Sequence, residues 1–148
     1  MTDVNKVALV TGGSRGIGKA CALELAKAGY DVVINYAGNE EAANKTVDEI
    51  KALGQKAAAK KFDVSNKEAA EAAIAEIVNE FGRIDVLVNN AGITRDNLFM
   101  RMKDEEWLAV INTNLNSAYF VTNPVSKIMI KQRSGAIVNM ASVSGVYG

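Results

Sequence analysis

The sequence contains no histidine and a single cysteine, Cys21. One cysteine excludes a disulfide within the chain, and without histidine a zinc site has few ligands and a histidine-based catalytic triad has no base. Two large classes of hydrolase chemistry are therefore disfavoured. We expect no metal site in this protein.

Net charge is also missing, because 17 Lys and Arg balance 17 Asp and Glu. This balance indicates neither a nucleic-acid footprint nor a polybasic membrane anchor. The N-terminal residues show no basic region followed by an apolar run, and no segment approaches the roughly 20 apolar residues of a membrane span. The composition predicts a soluble, cytoplasmic protein without nucleic-acid or membrane partners.

The 148 residues, of which 49% are hydrophobic, suffice for one domain with a core. Short apolar runs alternate with segments of helical period, and they predict strands at Val7–Val10, Val32–Ile34, Ala57–Phe62, Val86–Val88 and Ala136–Met140. Strands that are apolar on both faces suit a parallel sheet covered by helices. We therefore predict an α/β fold with a doubly wound parallel sheet of about five strands in the order 3-2-1-4-5.

Local signals mark where the helices begin and end. Ser65 and Glu68 have the spacing of a capping box at the start of one helix. The apolar face of that helix would comprise Ala70, Ala73, Ile74, Ile77, Val78 and Phe81. Four glycines stand where a left-handed residue would end a helix before a strand, namely Gly29, Gly54, Gly82 and Gly135.

A glycine-rich segment follows the first strand directly. It reads Thr11-Gly12-Gly13-Ser14-Arg15-Gly16-Ile17-Gly18 and opens into a predicted helix over Lys19–Ala28. Glycines at positions 12, 16 and 18 permit a tight turn and a close approach of backbone to a pyrophosphate, with the helix N-terminus facing the anion. Such turns also connect strands to helices for structural reasons alone, so this pattern by itself leaves the function open.

This segment has the TGxxxGIG form and resembles the short-chain dehydrogenase/reductase family, whose fold is Rossmann-like. Two further motifs agree: Asp63-Val64 follows the third strand, and Asn89-Asn90-Ala91-Gly92 follows the fourth. The resemblance implies that Asp63 accepts from the adenine amino group and that the second motif lies near the ribose and nicotinamide. In the structural alternative, Asp63 begins the turn before Ser65 and the asparagines tie neighbouring strands together.

The end of the second strand bears on the choice of nicotinamide cofactor. NAD enzymes of this architecture place an acid there, whereas this chain has Asn35-Tyr36-Ala37, with Arg15 in the glycine segment as a cation for a 2'-phosphate. Alternatively, Arg15 is a solvated loop residue. We predict NADP(H), with binding residues Gly12, Gly13, Ser14, Arg15, Gly16, Ile17, Gly18, Tyr36, Ala37, Asp63, Val64, Asn90, Ala91 and Gly92.

The resemblance also implies two catalytic residues. Asn114 falls within the apolar stripe of a long helix from about Asp104, a stripe that comprises Trp107, Val110, Ile111, Ala118 and Val121. We expect its amide to be buried and, by the resemblance, to hold a water that relays protons, unless it merely bonds a neighbouring backbone. Ser142, which closes the fifth strand, matches the serine that polarises the substrate carbonyl.

A tyrosine and a lysine four residues later would complete the family's site, and the sequence contains no such pair. Tyr147 follows Ser142 too closely to be that tyrosine. We therefore expect residues 1–148 to be the NADP-binding, N-terminal part of a longer single-domain enzyme, inactive alone.

Residues 93–103 with Trp107 resemble the 3-oxoacyl-[acyl-carrier-protein] reductases within the family. This resemblance implies NADPH-dependent reduction of a 3-oxoacyl thioester in fatty acid synthesis, and a homo-oligomer, either dimer or tetramer. Arg133 matches a position that engages the acidic carrier protein, although basic residues at a helix end are also favoured by the macrodipole. Pro124 should kink or break the long helix. Another carbonyl or alcohol substrate, or a non-catalytic dinucleotide-binding module, is the alternative.

Overall fold

The computed structural model describes residues 4–147, which form a five-stranded parallel sheet with helices on both faces. The strands are β1 (Val7–Val10), β2 (Asp31–Tyr36), β3 (Ala57–Lys61), β4 (Val86–Asn89) and β5 (Ala136–Asn139). The helices are α1 (Gly16–Lys27), α2 (Glu40–Ala52), α3 (Lys67–Phe81), α4 (Asp104–Ile111), α5 (Ser117–Gln132) and α6 (Ser144–Tyr147). The strand order β3-β2-β1-β4-β5 confirms the predicted sheet.

The core lies on the two faces of the central strands, because β1 and β2 are buried throughout. On one face Leu9 and Val33 pack with side chains of α3 and α5, and on the other Val10 and Ile34 pack with side chains of α1 and α2. Each such side chain contributes about 1.5–3 kcal/mol when it is removed from water. β5, by contrast, is exposed along its whole length.

The observed helix ends correct three of the predictions. α1 begins at Gly16, so the end of the glycine segment forms its first turn. α3 is capped by Asn66, whose side chain accepts from the Ala69 amide, and not by Ser65, which is bonded to Asp63 instead. α5 is terminated by Arg133, whose φ of 58° and ψ of 29° are left-handed, and not by Gly135 as predicted. The apolar face of α3 is as predicted, with its central side chains buried.

The long helical segment is interrupted by an irregular turn that precedes α5 and does not include Pro124. α5 continues through Pro124, so the predicted break is absent there. The irregularity is a π turn, Asn112–Asn116, between α4 and α5, and the hydroxyl of Ser117 donates back to the Thr113 carbonyl within it. The predicted apolar stripe is only partly buried, since Trp107 is 53% exposed while Val121 is 1% exposed. No helix within residues 4–147 is both long and apolar enough to cross a membrane.

Candidate functional site

A cleft of about 860 Å³ opens beyond the carboxyl ends of the central strands, where parallel α/β sheets bind ligands. Its wall includes twelve of the fourteen predicted cofactor-binding residues, namely Gly12, Ser14, Arg15, Gly16, Ile17, Tyr36, Ala37, Asp63, Val64, Asn90, Ala91 and Gly92. Residues that were not predicted also line it, among them Asn35, Asn39, Ser65 and Arg95. The sheet topology therefore brings three separate motifs to one cleft.

The two remaining glycines of the segment face inward. A Cβ atom on Gly18 would lie 2.2 Å from the carbonyl oxygen of Gly12, so only glycine lets α1 approach the turn this closely. Gly13 is buried against Ile34 beneath the turn. Both glycines therefore lie on the buried side of the turn, and their neighbours in the segment line the cleft.

Thr11 joins the glycine segment to the motif after β4. Its hydroxyl oxygen accepts from the backbone amides of Asn90 and Ala91, both at 3.0 Å. The Asn90 side chain donates to the Gly12 carbonyl at 3.1 Å. These bonds fix the two motifs relative to each other. The sequence carried a signal for this contact, because Thr11 opens the glycine motif, but a hydroxyl at that position does not reveal its partners.

Asp63 also lines the cleft, and it lies in a tight turn. The backbone amide and hydroxyl of Ser65 both donate to Asp63 Oδ1, at 2.9 Å and 2.6 Å. The turn role considered for Asp63 is therefore confirmed, and it orients the carboxylate at the cleft wall. α2 contributes as well, since Thr46 donates to the Ser14 carbonyl at 3.1 Å and so holds the glycine segment from a third side.

The charge of the cleft is mixed but mainly positive. Among the described residues of its wall, Arg15 and Arg95 are the cations and Asp63 is the acid. Arg15 is exposed, occupies the N-cap position of α1 and lines the same cleft as Tyr36 and Ala37 at the end of β2. The end of β2, Asn35-Tyr36-Ala37, brings no carboxylate to the wall. The arrangement favours an anionic ligand along the glycine segment.

Asn114 lies in the wall of a second, smaller cavity of about 310 Å³ next to the cleft. The expectation that its amide is buried is wrong, because the π turn places the residue at the surface. Its Oδ1 accepts from the Ile93 amide at 2.7 Å and its Nδ2 donates to the Ile93 carbonyl at 2.9 Å. Asn114 therefore bonds the backbone of the segment that follows β4, 21 residues away along the chain.

Ser142 does not close β5, which ends three residues earlier at Asn139. The residue is exposed, and its hydroxyl oxygen accepts from the Ser144 amide at 3.2 Å. Within the described part of the chain, neither cavity has Ser142 in its wall. The structure thus brings twelve of the predicted cofactor residues to the cleft and Asn114 to the cavity next to it, but it brings Ser142 to neither.

Comparison with known proteins agrees with this geometry. The profile of the short chain dehydrogenase family matches residues 6–148. The chain is 52% identical over 145 residues to a 3-oxoacyl-[acyl-carrier-protein] reductase of Staphylococcus aureus, covering 98% of the chain and 59% of that protein. It is 53% identical to the Synechocystis enzyme of the same name over 143 residues, covering 97% of the chain and 58% of the relative.

A solved structure extends the comparison to three dimensions. The NAD+-bound xylitol dehydrogenase superposes with a TM-score of 0.92 at 36% identity, covering 99% of this chain and 57% of that one. In each comparison the chain spans less than two thirds of the relative's length.

Proposed function

The chain belongs to the short-chain dehydrogenase family, and from that premise we propose that it forms the NADPH-binding part of a 3-oxoacyl-[acyl-carrier-protein] reductase. The observation that carries the proposal is the close approach of α1 to the glycine turn, which Gly18 alone permits. A helix N-terminus so placed directs unpaired backbone amides at an anion, here the diphosphate of the cofactor.

The described residues fit a dinucleotide along the cleft. Gly16 and Ile17 would meet the diphosphate, Asp63 and Val64 the adenine, and Ala91 and Gly92 the nicotinamide ribose. All of these residues line one continuous cleft. When bound, the cofactor would supply the hydride for reduction of the substrate's C3 carbonyl, and the proton of the 3-hydroxy group would come from solvent. The chain's own residues bind and orient the reactants.

Arg15 supports NADPH over NADH. A guanidinium in the same cleft as the end of β2 would offer a charge-assisted contact to a 2'-phosphate, and residues 35–37 include no carboxylate to bind a free 2'-hydroxyl or to repel the phosphate. Arg15 lies in the same wall as Tyr36 and Ala37, where the adenine ribose would rest. The xylitol dehydrogenase binds NAD+, and this property of that protein is not carried over to the present chain.

We expect Arg15→Ala to weaken NADPH binding about tenfold and to leave NADH binding nearly unchanged, because the lost contact meets only the 2'-phosphate. Titration of nicotinamide fluorescence with both cofactors measures the ratio. The matched control is Arg95→Ala, which removes the other arginine of the cleft and should leave the ratio as it was. Equal losses for both cofactors with Arg15→Ala would contradict the assignment.

The proposed substrate is a 3-oxoacyl thioester on acyl carrier protein, as in the relatives of that name. Arg133 would contact the carrier protein, since it is exposed directly after α5. The C-terminal part of that helix also carries Lys127 and Lys131. Ser142 would orient the substrate carbonyl, and Asn114 would hold a water that relays protons. We propose that the complete enzyme is a cytoplasmic homo-oligomer.

The 148 residues contain no Tyr-x-x-x-Lys segment. We therefore propose that they bind cofactor without turnover. Extending the chain with the remaining segment of a relative and assaying acetoacetyl thioesters against polyols would test the substrate class. Polyol oxidation without thioester reduction would favour the second candidate, a dehydrogenase like the xylitol enzyme it superposes on.

A further inference from the structure

Asn35 is a polar residue inside an otherwise apolar strand and is only 2% exposed. β2 continues past the end of β1, because Ile34 is the last residue paired with β1, opposite Val10. On its other side Asn35 pairs in register with Lys60 of β3. The residue therefore lies where the glycine turn leaves the sheet and beside the end of β3.

Both polar atoms of the Asn35 side chain are used. Its Oδ1 accepts from the Gly12 amide at 3.1 Å, and its Nδ2 donates to the Phe62 carbonyl at 2.9 Å. Its backbone carbonyl accepts from the Gly13 amide at 3.0 Å. One residue thus holds two successive amides of the glycine turn and, in the opposite direction, the residue that precedes Asp63.

An apolar side chain would suit the strand better on packing alone. Asn35 follows Val33 and Ile34, and burying an amide costs free energy unless both of its groups find partners. The Asn35 amide supplies both from separate atoms, since Oδ1 is the acceptor for the Gly12 N–H and Nδ2 is the donor to the Phe62 carbonyl. The choice of asparagine is therefore explained by the two contacts.

From this geometry we propose that Asn35 is a positioning residue for the dinucleotide. It sets the distance between the glycine turn, which would meet the diphosphate, and the Asp63-Val64 wall, which would meet the adenine. A ligand that spans both places binds well only when both are held in register. The inference deepens the proposed function and rests on it, because it assigns no ligand other than the dinucleotide.

The first test removes both side-chain contacts with Asn35→Leu in the full chain. NADPH affinity should fall about tenfold, since the turn and the adenine wall lose their common anchor. Amide hydrogen exchange, followed by NMR without ligand, should quicken at Gly12. The control is Ile74→Val, which lowers the unfolding midpoint from the buried face of α3 without touching the turn. NADPH affinity in the control should stay within about twofold of the unmodified chain.

A second variant separates the two contacts. Asn35→Asp keeps an acceptor for the Gly12 amide but loses the donor to the Phe62 carbonyl. Slow exchange should persist at Gly12, while NADPH affinity still falls several-fold and the amide shifts of Asp63 and Val64 move. A purely structural role would not divide the two readouts in this way.

The outcomes separate the two proposals. If the unmodified chain takes up no NADPH, the proposed function fails for these residues. If it does bind, but Asn35→Leu keeps the affinity within about twofold, the positioning role is wrong. Unchanged exchange at Gly12 in Asn35→Leu would overturn it as well, and that measurement needs no ligand.

Discussion

Substituting Gly18→Ala is expected to weaken NADPH binding about a hundredfold. The new methyl carbon would lie 2.2 Å from the Gly12 carbonyl oxygen, which is backbone and cannot rotate away. The turn must shift, and overpacking of this kind costs about 1–3 kcal/mol, the upper end of which corresponds to the expected loss. Fluorescence titration measures the affinity, and circular dichroism shows whether the sheet is retained.

Gly38→Ala is the matched control for this substitution. Gly38 also lines the cleft, but a methyl group there meets no atom within 4 Å and the backbone needs no left-handed conformation. NADPH affinity should change by less than about twofold. Binding by Gly18→Ala at the affinity of the unmodified chain would show that α1 does not present its amides to the ligand.

The substitution Asp85→Ala should lower the free energy of unfolding by about 3 kcal/mol. Asp85 is 5% exposed, and its carboxylate accepts from the Val7 amide at 2.9 Å and from two Arg83 nitrogens at 2.8 Å and 2.6 Å. Removing the carboxylate leaves a buried amide without its acceptor at the start of β1. Urea denaturation at neutral pH measures the loss. Glu24→Ala, which breaks an exposed pair with Lys27, should cost less than about 0.5 kcal/mol.

The same carboxylate predicts how stability depends on pH. Burial raises the pKa of Asp85, but the bonds from Arg83 and the Val7 amide outweigh burial and hold that pKa below its ordinary value of 3.8. A lowered pKa in the folded state means that the unfolded chain takes up the proton first as pH falls. Its contribution is therefore full above the ordinary value and is lost as pH falls through the folded pKa. Asp85→Asn should reduce the loss of stability that accompanies a fall in pH below about 5; an unchanged slope would contradict this role.

The fold was predictable because its signals are local and repeated. Five apolar runs gave all five strands, with ends that differ by at most two residues, and the alternation with helices gave the parallel sheet. The motifs at strand ends predicted which residues meet in the cleft, because parallel strands bring their carboxyl ends to one edge.

Features that depend on tertiary contacts were missed. Asn114 was expected to be buried because its helical spacing assumed a regular helix, whereas the π turn shifts that spacing and exposes the residue. Pro124 was expected to kink or break the long helix, and the break is absent, because packing of Val121 and Val125 against the core keeps α5 continuous through the proline. The sequence places Thr11 in the glycine motif and Asn35 at the end of a strand, but it does not identify their hydrogen-bond partners, because these come from elements distant in sequence.

The exposure of β5 has a practical consequence for work with these residues. Within residues 4–147 it pairs with β4 alone, so its outer edge presents unpaired amides and carbonyls, and Ile137, Val138 and Met140 stand partly open to water. An edge of this kind is a template for strand addition between molecules. Solutions of the isolated chain should consequently self-associate as concentration rises, and light scattering should detect this before any loss of secondary structure.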